Sequence, residues 1–413
     1  MLLVFHDTTL AGRLWQENRV LHFSYESEWQ KSANGLDLSP RLPLGSGVLS
    51  GDDVLSFFAG LLPEGPVLSA LLKFKRLPEG DVYSQLEAFG EEAAGAFAIV
   101  RDERQFHRAP EYIPYEPDQI RADLERLREN QPLLGLHGEL RLSLAGAQNK
   151  IPVKWEDGQF FLPAGGAPST HILKPALQPE RMFPHSVWNE AFCLALARKC
   201  GLDAVGAEIV QLPEPVMVTS RYDRVISDGR ITRLHQLDFC QIAGLLPDQK
   251  YEQHGGPSFP QIMKMLDDHA MVPAADRIRA LDWLVFNYLV GNGNAHARNL
   301  AMLCGPGGNL ALAPFYDILC TAVYPEFDPR MAMSIGGEFR PDWVMQRHRE
   351  RFAADAGVNL ALFSRRAHAL AERAVSEFDN VAGAMELDVS TEFVARVRNV
   401  VHQRAKWLGS APK

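Results

Sequence analysis

Asn294 and Asn299 stand five residues apart, and Asp317 follows on a later turn, Pro314-Phe315-Tyr316-Asp317. Phosphoryl-transfer enzymes use this arithmetic. A carboxylate takes the proton of the attacking hydroxyl, an asparagine five positions on holds magnesium, and an aspartate on a separate turn holds it too. Amide and carboxylate oxygens are hard ligands that suit such a cation, so Asn299 and Asp317 make a complete metal pair. The base position differs. It holds Asn294, whose amide can hydrogen-bond a hydroxyl but cannot take its proton. Read by itself, Asn292-Gly293-Asn294 is simply a turn; other stretches of the chain favour the chemical reading.

A loop with this duty has to be mounted on something rigid. Arg277 to Val290 read as a helix, with Ile278, Leu281, Val285 and Tyr288 on one apolar face. Gly291 and Gly293 stop it and free the backbone for Asn294-Ala295-His296-Ala297-Arg298-Asn299. Single residues nearby carry less weight. A lone His296 or Asp282 reads first as a structural hydrogen-bonding group.

Elements that could meet a nucleotide come earlier. Leu142-Ser143-Leu144-Ala145-Gly146-Ala147-Gln148-Asn149-Lys150 combines small residues, which let backbone approach a ligand, with a lysine able to meet phosphate charge. It lacks the glycine spacing and Lys-Ser/Thr ending of a Walker A loop. Strands Ile151 to Trp155 and Gln159 to Leu162 follow around Asp157-Gly158, a tight hairpin signal. A third strand ends in Lys174, within His171-Ile172-Leu173-Lys174-Pro175. Small-residue loop, hairpin and lysine-tipped strand is the order in which a kinase N-lobe covers ATP. The next helix turns Val187, Ala191, Leu194 and Ala195 inward. Its Glu190, 16 residues after Lys174, is either the ion-pair partner of that lysine or a solvated side chain. Val216 to Ile226 and Arg230 to Gln236 read as a second hairpin around Ser227-Asp228-Gly229. Arg221, Asp223 and Arg224 lie on its first strand, either as an ion cluster or facing phosphates. The second strand runs into Leu237-Asp238-Phe239-Cys240, where a hinge offering backbone groups to adenine would fall.

The chain has 413 residues, enough for two or three domains. With 46% hydrophobic and 23% charged residues it has ordinary globular composition. A net charge of -9 excludes a surface wholly given to nucleic acid, though not a local basic patch. Five cysteines, Cys193, Cys200, Cys240, Cys304 and Cys320, show no paired spacing, which fits a reducing cytosol better than a disulfide framework or zinc site. No apolar run reaches membrane-spanning length and no basic segment leads an apolar core, so a soluble cytoplasmic protein without a membrane partner is expected.

Three regions are expected. Residues 1–108 form a small α+β unit, with a strand through Leu21, Phe23 and Tyr25, an apolar helix end from Phe57 to Gly65, a helix from Tyr83 to Phe89 and a buried strand from Ala96 to Val100. Pro110, Pro114 and Pro117 then punctuate a connector before a mostly solvated helix, Asp118 to Glu129. Residues 109–240 hold the phosphate loop and hinge. Residues 241–413 are mainly helical, over Ile262 to His269, Arg277 to Val290, Phe363 to Phe378 and Phe393 to Leu408.

Together these stretches resemble the HipA family of bacterial toxin kinases. The resemblance covers nearly the whole chain, through Phe58 to Gly65, Ser143 to Lys150, His171 to Pro175, Gln236 to Gln241, Gly291 to Asn299 and Pro314 to Asp317. It implies an α+β, bilobal, protein-kinase-like fold with an extra N-terminal α+β subdomain and a mainly helical C-lobe. It implies Ser/Thr kinase activity with ATP and Mg2+. It also implies a helix-turn-helix, HipB-like antitoxin partner, operator DNA met mainly through that antitoxin, and a protein target such as an aminoacyl-tRNA synthetase. By position, Ala145, Gly146, Ala147, Gln148, Asn149 and Lys150 would be the phosphate loop and Lys174 the phosphate-binding lysine. Leu237, Asp238 and Phe239 would be the adenine hinge; His296, Ala297, Arg298, Asn299, Tyr316 and Asp317 would complete the nucleotide and metal site. Ser143 matches the family's autophosphorylated serine. A phosphate there adds roughly -1.5 to -2 charges beside a loop that must itself hold phosphates, which should eject the loop and switch the enzyme off.

The chain departs from the family at Asn294, where the family has Asp two residues before the loop histidine. General-base catalysis contributes about 100- to 10,000-fold, so very slow phosphate transfer is expected. Either the chain is a natural pseudokinase, or it is a deliberately disabled form of an active toxin; the intact surroundings favour the second. Two other functions compete. A binding module acting as co-repressor with the antitoxin would tolerate loss of Lys174 and Asp317. A small-molecule kinase of the aminoglycoside or phosphoinositide type would share the loop logic.

Overall fold

Alternating burial along Val20–Tyr25, with Leu21, Phe23 and Tyr25 inward, builds one face of an antiparallel sheet. The computed structural model describes residues 1–413 apart from 92, 104–110, 130, 134–147, 386–387 and 410–413. The chain divides into two units. One contains Met1–Pro175, Val210–Pro247 and Leu303–Asn309; the other contains Ala176–Ile209, Asp248–Met302 and Leu310–Lys413. The architecture is α+β.

In the first unit, the N-terminal sheet runs in the order Val48–Ser50, Val20–Tyr25, Thr9–Glu17, Leu2–His6, Phe97–Val100. Helix Asp52–Gly60 lays Phe57 and Phe58 on it, with Phe58 5.7 Å from Phe23. His235 is buried in the same region, edge-on to Phe97 at 4.8 Å, and its Nε2 donates to the Leu38 carbonyl at 2.8 Å. Burial pushes this imidazole down to about 4, against the opposing pull of the Leu38 bond. The unfolded chain, with an ordinary histidine near 6.5, therefore binds this proton first. Stability from neutral His235 is complete above pH 6.5 and is lost as pH falls toward 4, by roughly 3 kcal/mol in total. Urea unfolding between pH 7 and pH 4.5 checks this; His235→Phe should flatten that part of the profile.

A second antiparallel sheet in this unit runs in the order Pro215–Ser220, His171–Lys174, Ile151–Glu156, Gln159–Ala164, Glu111–Pro114. The expected hairpin closes through Asp157 and Gly158, both at positive φ (50° and 78°), which a two-residue turn of this hand requires. Helix Pro117–Arg128 packs on this sheet. Ile120, Leu124 and Leu127 meet Ile151, Val153, Leu162 and Leu173 in one core. The helix is mostly solvated, as expected, with only Ile120, Asp123, Leu124 and Leu127 buried. Its charged outer face hid a short i, i+4, i+7 stripe, and each such side chain is worth about 2–5 kcal/mol against alanine.

The second expected hairpin is shorter than its sequence pattern. Pro215–Ser220 pairs with His171–Lys174, and only Arg224–Ser227 pairs with Arg230–Arg233. The chain breaks between them because three charged side chains turn inward. Asp223 Oδ2 lies 2.7 Å from Arg221 Nη2 and 2.9 Å from Arg224 Nη1, and it accepts the Gly95 amide at 3.0 Å. Burial alone would raise this carboxyl; the two guanidiniums outweigh it and hold it well below the usual range. Of the two readings left open for Arg221, Asp223 and Arg224, the ion cluster is the one observed.

The second unit is mainly helical. Helix Pro273–Val290 sits among Phe259–His269, Leu360–Gly383 and Thr391–Gly409. Leu281, Val285 and Tyr288 are buried, as expected, but Ile278 is exposed. Burial is instead continuous from Trp283 to Val290, because neighbours surround the last turns on all sides. Helix Ser186–Lys199 brings in Trp188 and Phe192, stacked at 4.6 Å, and Phe192 meets Phe378 at 4.7 Å. Among the described residues, no helix is long and apolar enough to cross a membrane. All five cysteines are buried free thiols.

Candidate active site

Helix Pro273–Val290 ends on Gly291 at φ 70°, with the Asn292 amide donating to the Asn287 carbonyl at 2.9 Å. Glycine is required there twice over. The backbone is left-handed, and a Cβ would lie 2.7 Å from Val400 Cγ1 and 2.9 Å from Ala322 Cβ. Beyond it, nearly every polar group of the loop is committed. Asn292 Nδ2 donates to Asn287 Oδ1 at 2.7 Å and to the Asp317 carbonyl at 3.4 Å, and its Oδ1 accepts the Asn294 amide at 3.0 Å. The Thr321 hydroxyl accepts the Gly293 amide at 2.7 Å and donates to the Gly291 carbonyl at 3.1 Å. Asn292 thus ties the loop to the turn that carries Asp317.

Asn294 and Asn299 meet directly. Asn299 Nδ2 donates to the Asn294 carbonyl at 2.8 Å, and the His296 amide donates to the same carbonyl at 2.9 Å. The Asn299 amide closes a tight turn onto the His296 carbonyl at 2.9 Å. Ala297 donates its amide to the Lys250 carbonyl at 3.3 Å, and the Tyr316 hydroxyl donates to the Arg298 carbonyl at 2.8 Å. His296 is buried, and its Nδ1 has no hydrogen-bond partner. Burial, then the charges of Lys250 and Arg298, hold this imidazole well below its ordinary value despite Asp317, so it is neutral near pH 7. Asp317 itself has φ 51°, a left-handed backbone that Asp and Asn tolerate better than other side chains.

The other expected site residues lie in the first unit. Lys174 is buried at the end of its strand, opposite Met217. Gln148 Nε2 donates to the Pro175 carbonyl at 3.2 Å, and Asn149 Nδ2 to the Leu127 carbonyl at 3.4 Å, which ties this segment to the lysine strand and the helix below. Lys150 is half-buried just before Ile151. Ser143, Ala145, Gly146 and Ala147 lie outside the described residues. Leu237 and Phe239 are buried, and Asp238 caps helix Phe239–Ala243 by accepting the Gln241 amide at 2.8 Å. Side chains are therefore used for structure at the expected hinge. Glu190, in the second unit, is buried, which removes the solvated reading.

Three residues near the loop carry no signal in the sequence. The Tyr251 hydroxyl donates to Asn294 Oδ1 at 2.6 Å, and its ring meets His296 edge-on at 5.0 Å. Thr321 holds the glycine turn. Buried Asn189 accepts the Cys320 amide at 2.9 Å and donates to the Cys320 carbonyl at 3.0 Å, fixing the segment after Asp317 to helix Ser186–Lys199. All three act through contacts distant in sequence, which no local pattern reveals.

Comparison with known proteins agrees with this architecture. Residues 2–100 match the HipA N-terminal domain family, and residues 142–382 match the HipA-like C-terminal domain family. Y4mE of Sinorhizobium fredii, whose name makes it a candidate kinase, is 35% identical over 89% of this chain and 88% of its own length. The serine/threonine-protein kinase toxin HipA of Shewanella oneidensis is 28% identical over 78% of this chain and 74% of its own. A solved complex of Shewanella oneidensis HipA with HipB and operator DNA superposes with a TM-score of 0.85 at 26% identity, covering 98% of this chain and 97% of that one. With both domains matched, the chain belongs to the HipA family.

Proposed function

We propose that this chain is a Ser/Thr protein kinase toxin of a toxin–antitoxin module, that it binds ATP with Mg2+, and that Asn294 leaves it almost without transfer activity. The observation that carries this reading is the bond from Asn299 Nδ2 to the Asn294 carbonyl. It commits the amide nitrogen, so that Oδ1 is the end of Asn299 that would meet a cation, on a loop that Asn292 ties to the Asp317 turn. Among the described residues, no group of three or more His, Cys, Asp or Glu could hold a metal. A pair of one amide and one carboxylate suits magnesium, which takes its other ligands from phosphate and water. The unpartnered His296 Nδ1 is a buried polar atom of the kind a bound ligand satisfies. Bound MgATP would supply the phosphoryl group and the charge that neutralises it. Asn299 and Asp317 would hold the metal, Lys174 the phosphates, the Gln148–Lys150 segment the outer phosphates, and the Leu237–Phe239 backbone the adenine. Ser143 is the proposed autophosphorylation site.

For partners, the support is the relative solved with HipB and operator DNA. A HipB-like helix-turn-helix antitoxin is proposed here, and the net charge of -9 favours DNA contact through it. An aminoacyl-tRNA synthetase is the proposed target. One observation favours a second reading: Asn294 itself suits a nucleotide-binding co-repressor that transfers nothing. Calorimetry with MgATP tests the nucleotide site. The chain should bind it, and Lys174→Ala should weaken binding by about 10- to 100-fold, the worth of a charge-assisted contact. Equal affinity in both proteins would refute the site.

A further inference from the structure

The Tyr251 hydroxyl reaches Asn294 from a separate segment that is anchored on both sides. Before it, the Lys250 carbonyl accepts the Ala297 amide at 3.3 Å. After it, the Glu252 carboxylate accepts the Ser334 amide at 2.6 Å and the Ser334 hydroxyl at 2.8 Å. The Glu252 amide donates to the Ala332 carbonyl at 3.3 Å. The ring is set edge-on against His296 at 85°. So the phenol is delivered to Asn294 Oδ1 by packing and hydrogen bonds on three sides, at 2.6 Å. Tyr251 and Asn294 also line one cavity of about 170 Å³, together with Gly293, Thr321, Phe327 and Met331. The backbone of Asn294 is already fixed by Asn292, His296 and Asn299. What remains to be set is the rotation of its side chain, and Tyr251 sets it.

We propose that Tyr251 is the positioning residue for the side chain at 294: its hydroxyl engages one polar atom of that fork and thereby aims the other at the group entering the cavity. With asparagine, the aimed atom is Nδ2, a donor, which holds an acceptor hydroxyl without activating it. With aspartate, the phenol would take one carboxylate oxygen and leave the second to receive the hydroxyl proton, while the attacking oxygen would bond to the γ-phosphorus of ATP, the bond from that phosphorus to the β,γ-bridging oxygen would break, and ADP would leave. This rests on the kinase reading of the loop and adds a residue to it.

The test uses two readouts. In the Asn294 chain labelled with 13C-asparagine, the Asn294 side-chain carbonyl resonance is assigned by its loss in Asn294→Asp. Tyr251→Phe keeps the ring and should move that resonance upfield, as expected when a carbonyl loses a donor. Phosphate transfer is then compared in Asn294→Asp with and without Tyr251→Phe. The hydroxyl should raise kcat about 10- to 100-fold, the worth of a hydrogen bond to a charged group, with KM for ATP unchanged. A merely structural tyrosine would change KM and thermal stability instead. An unmoved resonance, or equal kcat with and without the hydroxyl, overturns the proposal. A moved resonance in a chain whose Asn294→Asp variant is inert would instead sink the kinase reading and leave the orienting bond in place.

Discussion

Asn294→Asp should raise ATP-dependent phosphate transfer by about 100- to 10,000-fold, the usual contribution of a positioned general base. The loop is already arranged to receive the carboxylate. Of the four bonds that Asn294 makes among the described residues, three use its backbone, whose amide donates to Asn292 Oδ1 and whose carbonyl accepts from His296 and Asn299. They are indifferent to the change from amide to carboxylate. The fourth, from Tyr251, donates to a side-chain oxygen that both residues possess. Asp and Asn have nearly the same shape, and residue 294 is only half-buried, so the new charge keeps contact with water. Thermal stability should barely move while the rate climbs. Radiolabelled transfer from ATP with phosphosite mapping measures it, and Ser143 is the site to watch. No gain would mean that Asn294 belongs to a chain whose loop no longer performs transfer, and the co-repressor reading would take over.

Asp317→Asn, placed in the Asn294→Asp background, should cost on the order of 100-fold or more in transfer, since a bound metal supplies several kcal/mol of charge stabilisation. This substitution isolates the charge. Position 317 has φ 51°, and asparagine is among the few side chains at ease there. Its carbonyl would still accept from Asn292, so the link between loop and turn survives. A structural role for the carboxylate predicts a fall in melting temperature; a metal role predicts none, together with loss of the magnesium dependence of ATP binding. Calorimetric titrations with and without magnesium separate the two. A variant that binds MgATP as tightly as its parent would remove Asp317 from the metal site.

Much of the fold is legible in local pattern. Period-two alternation placed Val20–Tyr25 in a sheet, Asp157-Gly158 closed the hairpin of Ile151–Glu156 and Gln159–Ala164, and the glycine after Val290 stopped the long helix where the structure stops it. These signals work because each depends on neighbours a few residues away. The Asn294-to-Asn299 interval is of the same kind: one turn of loop, closed by their own hydrogen bond. Where the sequence was ambiguous or misleading, distant partners decided. Arg221, Asp223 and Arg224 turn inward as an ion cluster whose carboxylate also accepts the amide of Gly95, far away in the chain. Ile120, Leu124 and Leu127 are inside because a sheet lies over them, and Ile278, on an equally apolar stripe, is exposed. Tyr251 touches Asn294 only because Glu252 and Lys250 pin its segment in place. Residue types and short intervals thus determined which chemistry this chain can attempt. Tertiary packing alone decided how the side chain at 294 is aimed, because orientation comes from contacts between segments that are remote in sequence.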